Sequence, residues 1–70
     1  MSDYAADHLV GLKEGDPVIY HRLDEYLECK FIELVFVRGR RVAAVMSLKH
    51  GLFLAPPSLV SISYQIKRNL

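Results

Sequence analysis

Between Cys29 and Lys49 the chain reads CKFIELVFVRGRRVAAVMSLK, two runs of β-branched, aromatic and aliphatic residues that meet at one glycine, Gly39. Composition of that kind fits a pleated, packed strand, and a lone glycine between two such runs marks a hairpin. The expected strands are residues 29–38 and 41–49. Their register has two solutions. With Gly39-Arg40 as a two-residue turn, Phe31, Glu33, Val35 and Val37 share a side with Val42, Ala44, Met46 and Leu48. With one residue bulged, Ile32, Leu34 and Phe36 join those four instead, and Glu33, Ser47 and Lys49 lie together outside. The second is preferred because it buries no carboxylate.

Further strands follow on either side. Gly15 and Asp16 mark a turn, and Pro17 suits the first position of a strand running to about Arg22, with Val18 and Tyr20 on one face. Residues 23–28, LDEYLE, read as a charged excursion, a loop or one helical turn. His50-Gly51 is expected to close a second tight hairpin that pairs Leu48 with Phe53 and Met46 with Ala55. Pro56 and Pro57 then end the strand, PSLV suits a single 3₁₀ turn, and Ile62, Tyr64 and Ile66 alternate with Ser61, Ser63 and Gln65 as a last strand. Residues 1–14 form an N-terminal arm that could start a short helix at Asp3 and stop at Gly11. Residues 15–66 form the β domain, and 67–70 a polar tail.

A chain of 70 residues makes one small domain, which buries only ~60% of the surface its unfolded form exposes. Disulfides within the chain are excluded because Cys29 is the only cysteine, and with no secretory pattern a lone thiol points to a reducing, cytoplasmic setting. Yet 51% of the residues are hydrophobic. On the face opposite Val42, Ala44 and Met46 the expected registers place Val35, Val37, Ala43, Val45, Leu52 and Leu54, more aliphatic surface than water-facing strands need. Val35, Val37, Val45, Leu52 and Leu54 are therefore the expected interface of a homo-oligomer, a dimer or tetramer.

Five short strands, a long excursion after the first, two tight hairpins and a 3₁₀ turn before the last strand together resemble the SH3-like small β-barrels, over about residues 15–66. The fold class expected from that resemblance is all-β, a five-stranded SH3-like barrel with a short N-terminal arm or helix. Within that group the pattern is similar to the type II dihydrofolate reductases, barrels assembled as tetramers around a shared pore. Gly15, Asp16 and Val18 match their Gly-Asp-x-Val opening, and Leu59 and Ile62 their Leu-x-x-Ile ending. The pore strand of that family, Val-Gln-Ile-Tyr, is replaced here by Gly51-Leu52-Phe53-Leu54, which has no side chain to hold folate or nicotinamide. The resemblance implies the assembly and not the reductase activity.

Little else in the chain carries chemistry. His21, Asp24, Glu25, Glu28 and Cys29 are types a metal or nucleophilic site would use, but no paired His or Cys spacing supports one, so no metal, cofactor or catalytic residue is expected. Cys29 opens a strand and reads as a small buried hydrophobe. Nine Lys and Arg against eight Asp and Glu leave a formal net charge of +1, too little for a general attraction to nucleic acid or anionic lipid. The longest apolar runs are far shorter than the ~20 residues of a spanning helix, so no membrane is expected as partner.

The expectation is thus a noncatalytic binding module that self-associates through apolar strands. It would present loops 21–28 and 38–41, with His21, Asp24 and Tyr26 in the first, to a protein or small-molecule partner. The alternative is a nucleic-acid-binding module that uses the hairpin tip Arg38, Arg40 and Arg41 together with Lys49.

Overall fold

A computed structural model describes residues 5–63 of the chain. Five antiparallel strands form one sheet: β1 (Pro17–Arg22), β2 (Glu25–Val37), β3 (Arg40–Ser47), β4 (Gly51–Ala55) and β5 (Val60–Ile62). Single 3₁₀ turns occupy Asp7–Leu9 and Pro57–Leu59. The protein is all-β. Four strands run as a meander and the fifth returns beside the first, giving the order β4-β3-β2-β1-β5, compatible with a small barrel-like fold.

The β2 strand is thirteen residues long and serves two partners. Its first half pairs with β1, from Arg22 opposite Glu25 to Pro17 opposite Lys30. Its second half pairs with β3, from Lys30 opposite Met46 to Val37 opposite Arg40, and the register shifts by one residue between Phe31 and Glu33. An unpaired residue of this kind bends a strand and increases its twist. It also changes which alternate residues face inward. Leu27, Cys29 and Phe31 point to the core before the shift and Leu34 after it, so Glu33, which unbroken alternation would carry inside, is exposed opposite Ala44.

The core joins Val18 from β1, Cys29 and Phe31 from β2, Ala43 and Val45 from β3, Ala55 from β4, Val60 from β5, and Leu9 from the N-terminal arm. Tyr20 and Phe53 meet at its edge with ring centroids 5.3 Å apart. The arm belongs to this core rather than to solvent. Ala6 and Leu9 are buried, His8 donates from Nε2 to the Val60 carbonyl at 2.7 Å, and Arg41 reaches Asp7 at 3.1 Å. A longer helix does not form in the described residues, since the single 3₁₀ turn leads into Gly11 at φ +101°; the expected start at Asp3 lies outside the described residues.

Several expectations need correction. Residues 23–28 are not an excursion: Leu23 and Asp24 make a two-residue turn, and β2 has already begun at Glu25. Leucine is a poor fit to that turn, where its φ of +49° lies in the left-handed region that side chains disfavour. The β2–β3 turn is Arg38-Gly39, both at positive φ as a type I′ hairpin requires, rather than Gly39-Arg40. The bulge sits inside β2 and not at the turn, so Leu34 and Phe36 pair with Ala43 and Arg41 rather than joining the side of Val42 and Ala44.

The β3–β4 connection is a loop of three residues, Leu48, Lys49 and His50, with Ser47 opposite Gly51. Ser47 is buried instead of outside, because it alternates with the inward Ala43 and Val45, and its Oγ accepts a hydrogen bond from the His50 backbone at 2.8 Å that closes the loop. Gly51 at φ +74° completes the reversal. In the expected hairpin Met46 faced Ala55; here it faces Leu52, an odd shift that exchanges the two sides of β4. The Gly15-Asp16 turn, β1 and the 3₁₀ turn after Pro56 lie where the sequence reading puts them. The last strand is described only from Val60 to Ile62; Tyr64, Ile66 and the polar tail lie outside the described residues.

The buried arm gives a direct test. Leu9→Ala is expected to lower unfolding free energy by about 2–5 kcal/mol in urea titration, because it empties a closed core position. Its exposed neighbour in Val10→Ala should cost under about 0.5 kcal/mol. Equal effects of the two would show that the arm is not part of the core.

Candidate functional site

The odd register of β4 decides what this protein shows to solvent. On β3 and β4 the inward residues are Ala43, Val45, Phe53 and Ala55. Met46, Leu52 and Leu54 consequently share the outer side, where Met46 faces Leu52 and Ala44 faces Leu54. Those three large side chains remain 43%, 59% and 54% exposed. Val35 and Val37 continue the same side on β2, with Val35 opposite Val42. The result is an apolar outer face across β2, β3 and β4 in which Glu33 is the one acidic residue.

Of the five residues expected at an interface, Val35, Val37, Leu52 and Leu54 therefore lie together on this outer face. Val45 does not. It is fully buried in the core of its own chain and takes no part in any surface. Met46 was missed by the sequence reading because the expected β3–β4 register put it on the other side from Leu52 and Leu54.

Among the described residues the face ends at the edge of the sheet. β4 is terminal in the sheet order, and among the described residues its backbone bonds only along the β3 ladder. Gly51–Ala55 contains no charge and no proline, two of the devices that protect an edge strand from pairing with another chain.

A second feature is a groove of about 700 Å³ where the first half of β2 approaches the end of β3. Pro17, Ile19, Tyr26 and Met46 supply apolar walls, while Lys30 and Lys49 bring positive charge and Glu28 negative. Nothing in the sequence reading pointed to it, because it depends on β2 beginning at Glu25 instead of at Cys29. Of the expected loop residues only Tyr26 lines this groove. His21 is turned away to Ser61, with Nε2 and Oγ hydrogen-bonded at 2.8 Å, and stacks edge-on against Tyr26 with centroids 4.8 Å apart. Asp24 is exposed in the turn.

The basic residues are not assembled into one patch. Arg38 sits in the β2–β3 turn and Arg40 follows it, while the Arg41 guanidinium is held against Asp7. Lys49 lies beyond the far end of β3, a strand length of roughly 25 Å away at ~3.3 Å per residue, and it lines the groove instead. Among the described residues no group of three or more His, Cys, Asp and Glu could hold a metal ion, and no helix is long and apolar enough to cross a membrane.

Cys29 is buried beneath the groove. Its Sγ donates weakly to the Leu27 carbonyl at 3.5 Å. Burial pushes the thiol pKa up, and a backbone hydrogen bond with Tyr20 offsets part of that rise. Since the thiolate is the reactive species, burial and the raised pKa both lower the reactivity of this sulfur. Iodoacetamide at neutral pH is expected to leave folded Cys29 unlabelled and to modify it readily in denaturant. Labelling of the folded protein at the rate of a free peptide thiol would contradict the assignment.

Comparison with protein-family models, with curated proteins and with solved structures finds no match to this chain.

Proposed function

We propose that this protein is a noncatalytic binding module of SH3-like architecture that self-associates through its outer apolar face and offers the groove beside Tyr26 to a protein or small-molecule partner. The strand order and the 3₁₀ turn before β5 support the architecture. The long excursion expected of such a barrel after β1 is replaced by a two-residue turn, with the extra length taken into β2.

One observation carries the self-association. Met46, Leu52 and Leu54 stand next to one another, half-exposed, on the terminal strands of the sheet. With Val35 and Val37 they make a patch on the order of 400 Å², within the range of the largest apolar patch on a typical monomer, and a patch of that rank is often functional. The small net charge of +1 provides little repulsion between copies. A groove with apolar walls and a few polar groups has the make-up of a ligand site.

Light scattering coupled to size exclusion is expected to report a dimer or larger species at tens of micromolar. Leu54→Lys should return it to the single-chain mass while leaving the far-UV circular dichroism unchanged. A monodisperse single chain for the unsubstituted protein across that range overturns the proposal.

A further inference from the structure

The geometry points to the occupant of the groove: a second copy of this chain, packed face to face across a two-fold axis at Met46, so that Leu54 of each copy seats over the groove of the other. This rests on the self-association reading above and deepens it by making the groove one half of the interface.

The outer face and the groove are one surface. Lys30 pairs with Met46 on one side and with Pro17 on the other, and residues directly opposite in an antiparallel pair share a face. Tyr26, Glu28 and Lys30 alternate with the inward Leu27, Cys29 and Phe31, so these groove residues lie on the same side of the sheet as Leu52 and Leu54. Met46 belongs to both halves, since it faces Leu52 and also lines the groove.

Area calls for both halves. The patch of Val35, Val37, Met46, Leu52 and Leu54, on the order of 400 Å², is about half of the ~800 Å² each partner contributes to a stable interface. Pro17, Ile19 and the exposed Tyr26 add on the order of 300 Å², most of it from the tyrosine, and bring the surface close to that size. A dimer confined to the patch would bury half as much and would bring both Glu33 carboxylates into one interface.

Symmetry then fixes the arrangement. In a two-fold interface whatever lies to one side of the axis meets what lies to the other, so the surface must complement itself. Counted along the ladders from Met46, Leu54 lies one strand and two residues away, and Glu28 lies one strand and two residues away in the opposite sense. A two-fold axis between the faces at Met46, at right angles to that line, sets Leu54 of each copy opposite Glu28 of the other, at the groove beside Tyr26. The projecting leucines of one copy thereby meet the recess of its mate, twice. Methionine against methionine on the axis suits a side chain that adapts its shape to its neighbours.

Charge favours the same exchange. Glu33 is the one acidic residue on the face, whereas the groove carries Lys30 and Lys49 against Glu28. The axis at Met46 carries Glu33 of each copy toward Lys30 of the other. Arg40 is on the same side of β3 but six residues from Met46, roughly 20 Å along the strand and outside the contact.

Two measurements test the arrangement. Tyr26→Lys, a substitution at an exposed position, is expected to return the protein to the single-chain mass in light scattering while leaving the far-UV circular dichroism unchanged. In a Cys29→Ala background, Leu54→Cys and Glu28→Cys chains are treated, alone and mixed, with a bis-maleimide whose reach just exceeds the ~10 Å between stacked sheets. The mixture is expected to give a cross-linked pair, and Met46→Cys should cross-link to itself. Leu54→Cys alone should give little, because like positions stand ~16 Å apart along the faces, twice the offset of one strand and two residues. If the unsubstituted protein associates but Tyr26→Lys does so equally, or Leu54→Cys cross-links alone as well as in the mixture, this packing is wrong. The groove then belongs to a small molecule or another protein, and self-association stands. If only the single-chain mass is seen at every concentration, both fall.

Discussion

One unpaired residue in the middle of β2 determines what the rest of the sheet can be. Alternation along a strand is strict, so a run that points Leu27, Cys29 and Phe31 inward would next send Glu33 into the core. A carboxylate left without a partner in such a site costs several kcal/mol. The register shift after Phe31 resolves the conflict by presenting Leu34 inward in its place. The same irregularity lies where β2 leaves β1 and takes up β3, so one feature both bends the long strand and keeps its charge in water.

This arrangement fills the inside with small residues. Ala43, Ala55, Val18, Val45 and Val60 make up much of the core, and among the described residues Phe31 is its one buried aromatic ring. A small interior leaves apolar side chains over, and they collect on the outer side of β3 and β4. Surplus of that kind is poorly tolerated in a lone molecule of this size, and it is the physical basis of the proposed assembly. The groove adjoins that surface, since Met46 both faces Leu52 on the outer side and forms one of the groove's walls, while Tyr26 and Pro17 lie at its other side.

Much of this fold was legible in the sequence. The turn at Gly15-Asp16, the dense hairpin around Gly39 and the Pro56-Pro57 corner have local causes: φ freedom, β-branched composition and a missing N–H. What was not legible depended on counting. In EYLECK the charged residues at 25, 28 and 30 disguise a strand whose inward residues are Leu27 and Cys29. At the second hairpin the Ser47 hydroxyl closes a loop one residue longer than the tightest turn, and side-chain capping of that kind has no strong signature in a single chain. The candidate face was legible as an excess of aliphatic residues, and four of its five expected members belong to it. Val45 was misplaced and Met46 omitted for one reason, the register of β4 against β3. The groove was invisible because it is made by tertiary bending rather than by any segment.

The loop of Leu48, Lys49 and His50 has a consequence for how this chain can vary. Its spelling is nearly free, for Leu48 is wholly in water and the loop is held by a main-chain group of His50. Its length is not. One residue more or fewer would turn β4 over, sending Leu52 and Leu54 toward the interior and Phe53 and Ala55 toward solvent. The segment should therefore drift in letters while keeping its count, and the oily exterior of the molecule is maintained by arithmetic at a bend that asks only for the Ser47 hydroxyl before it and a glycine after it.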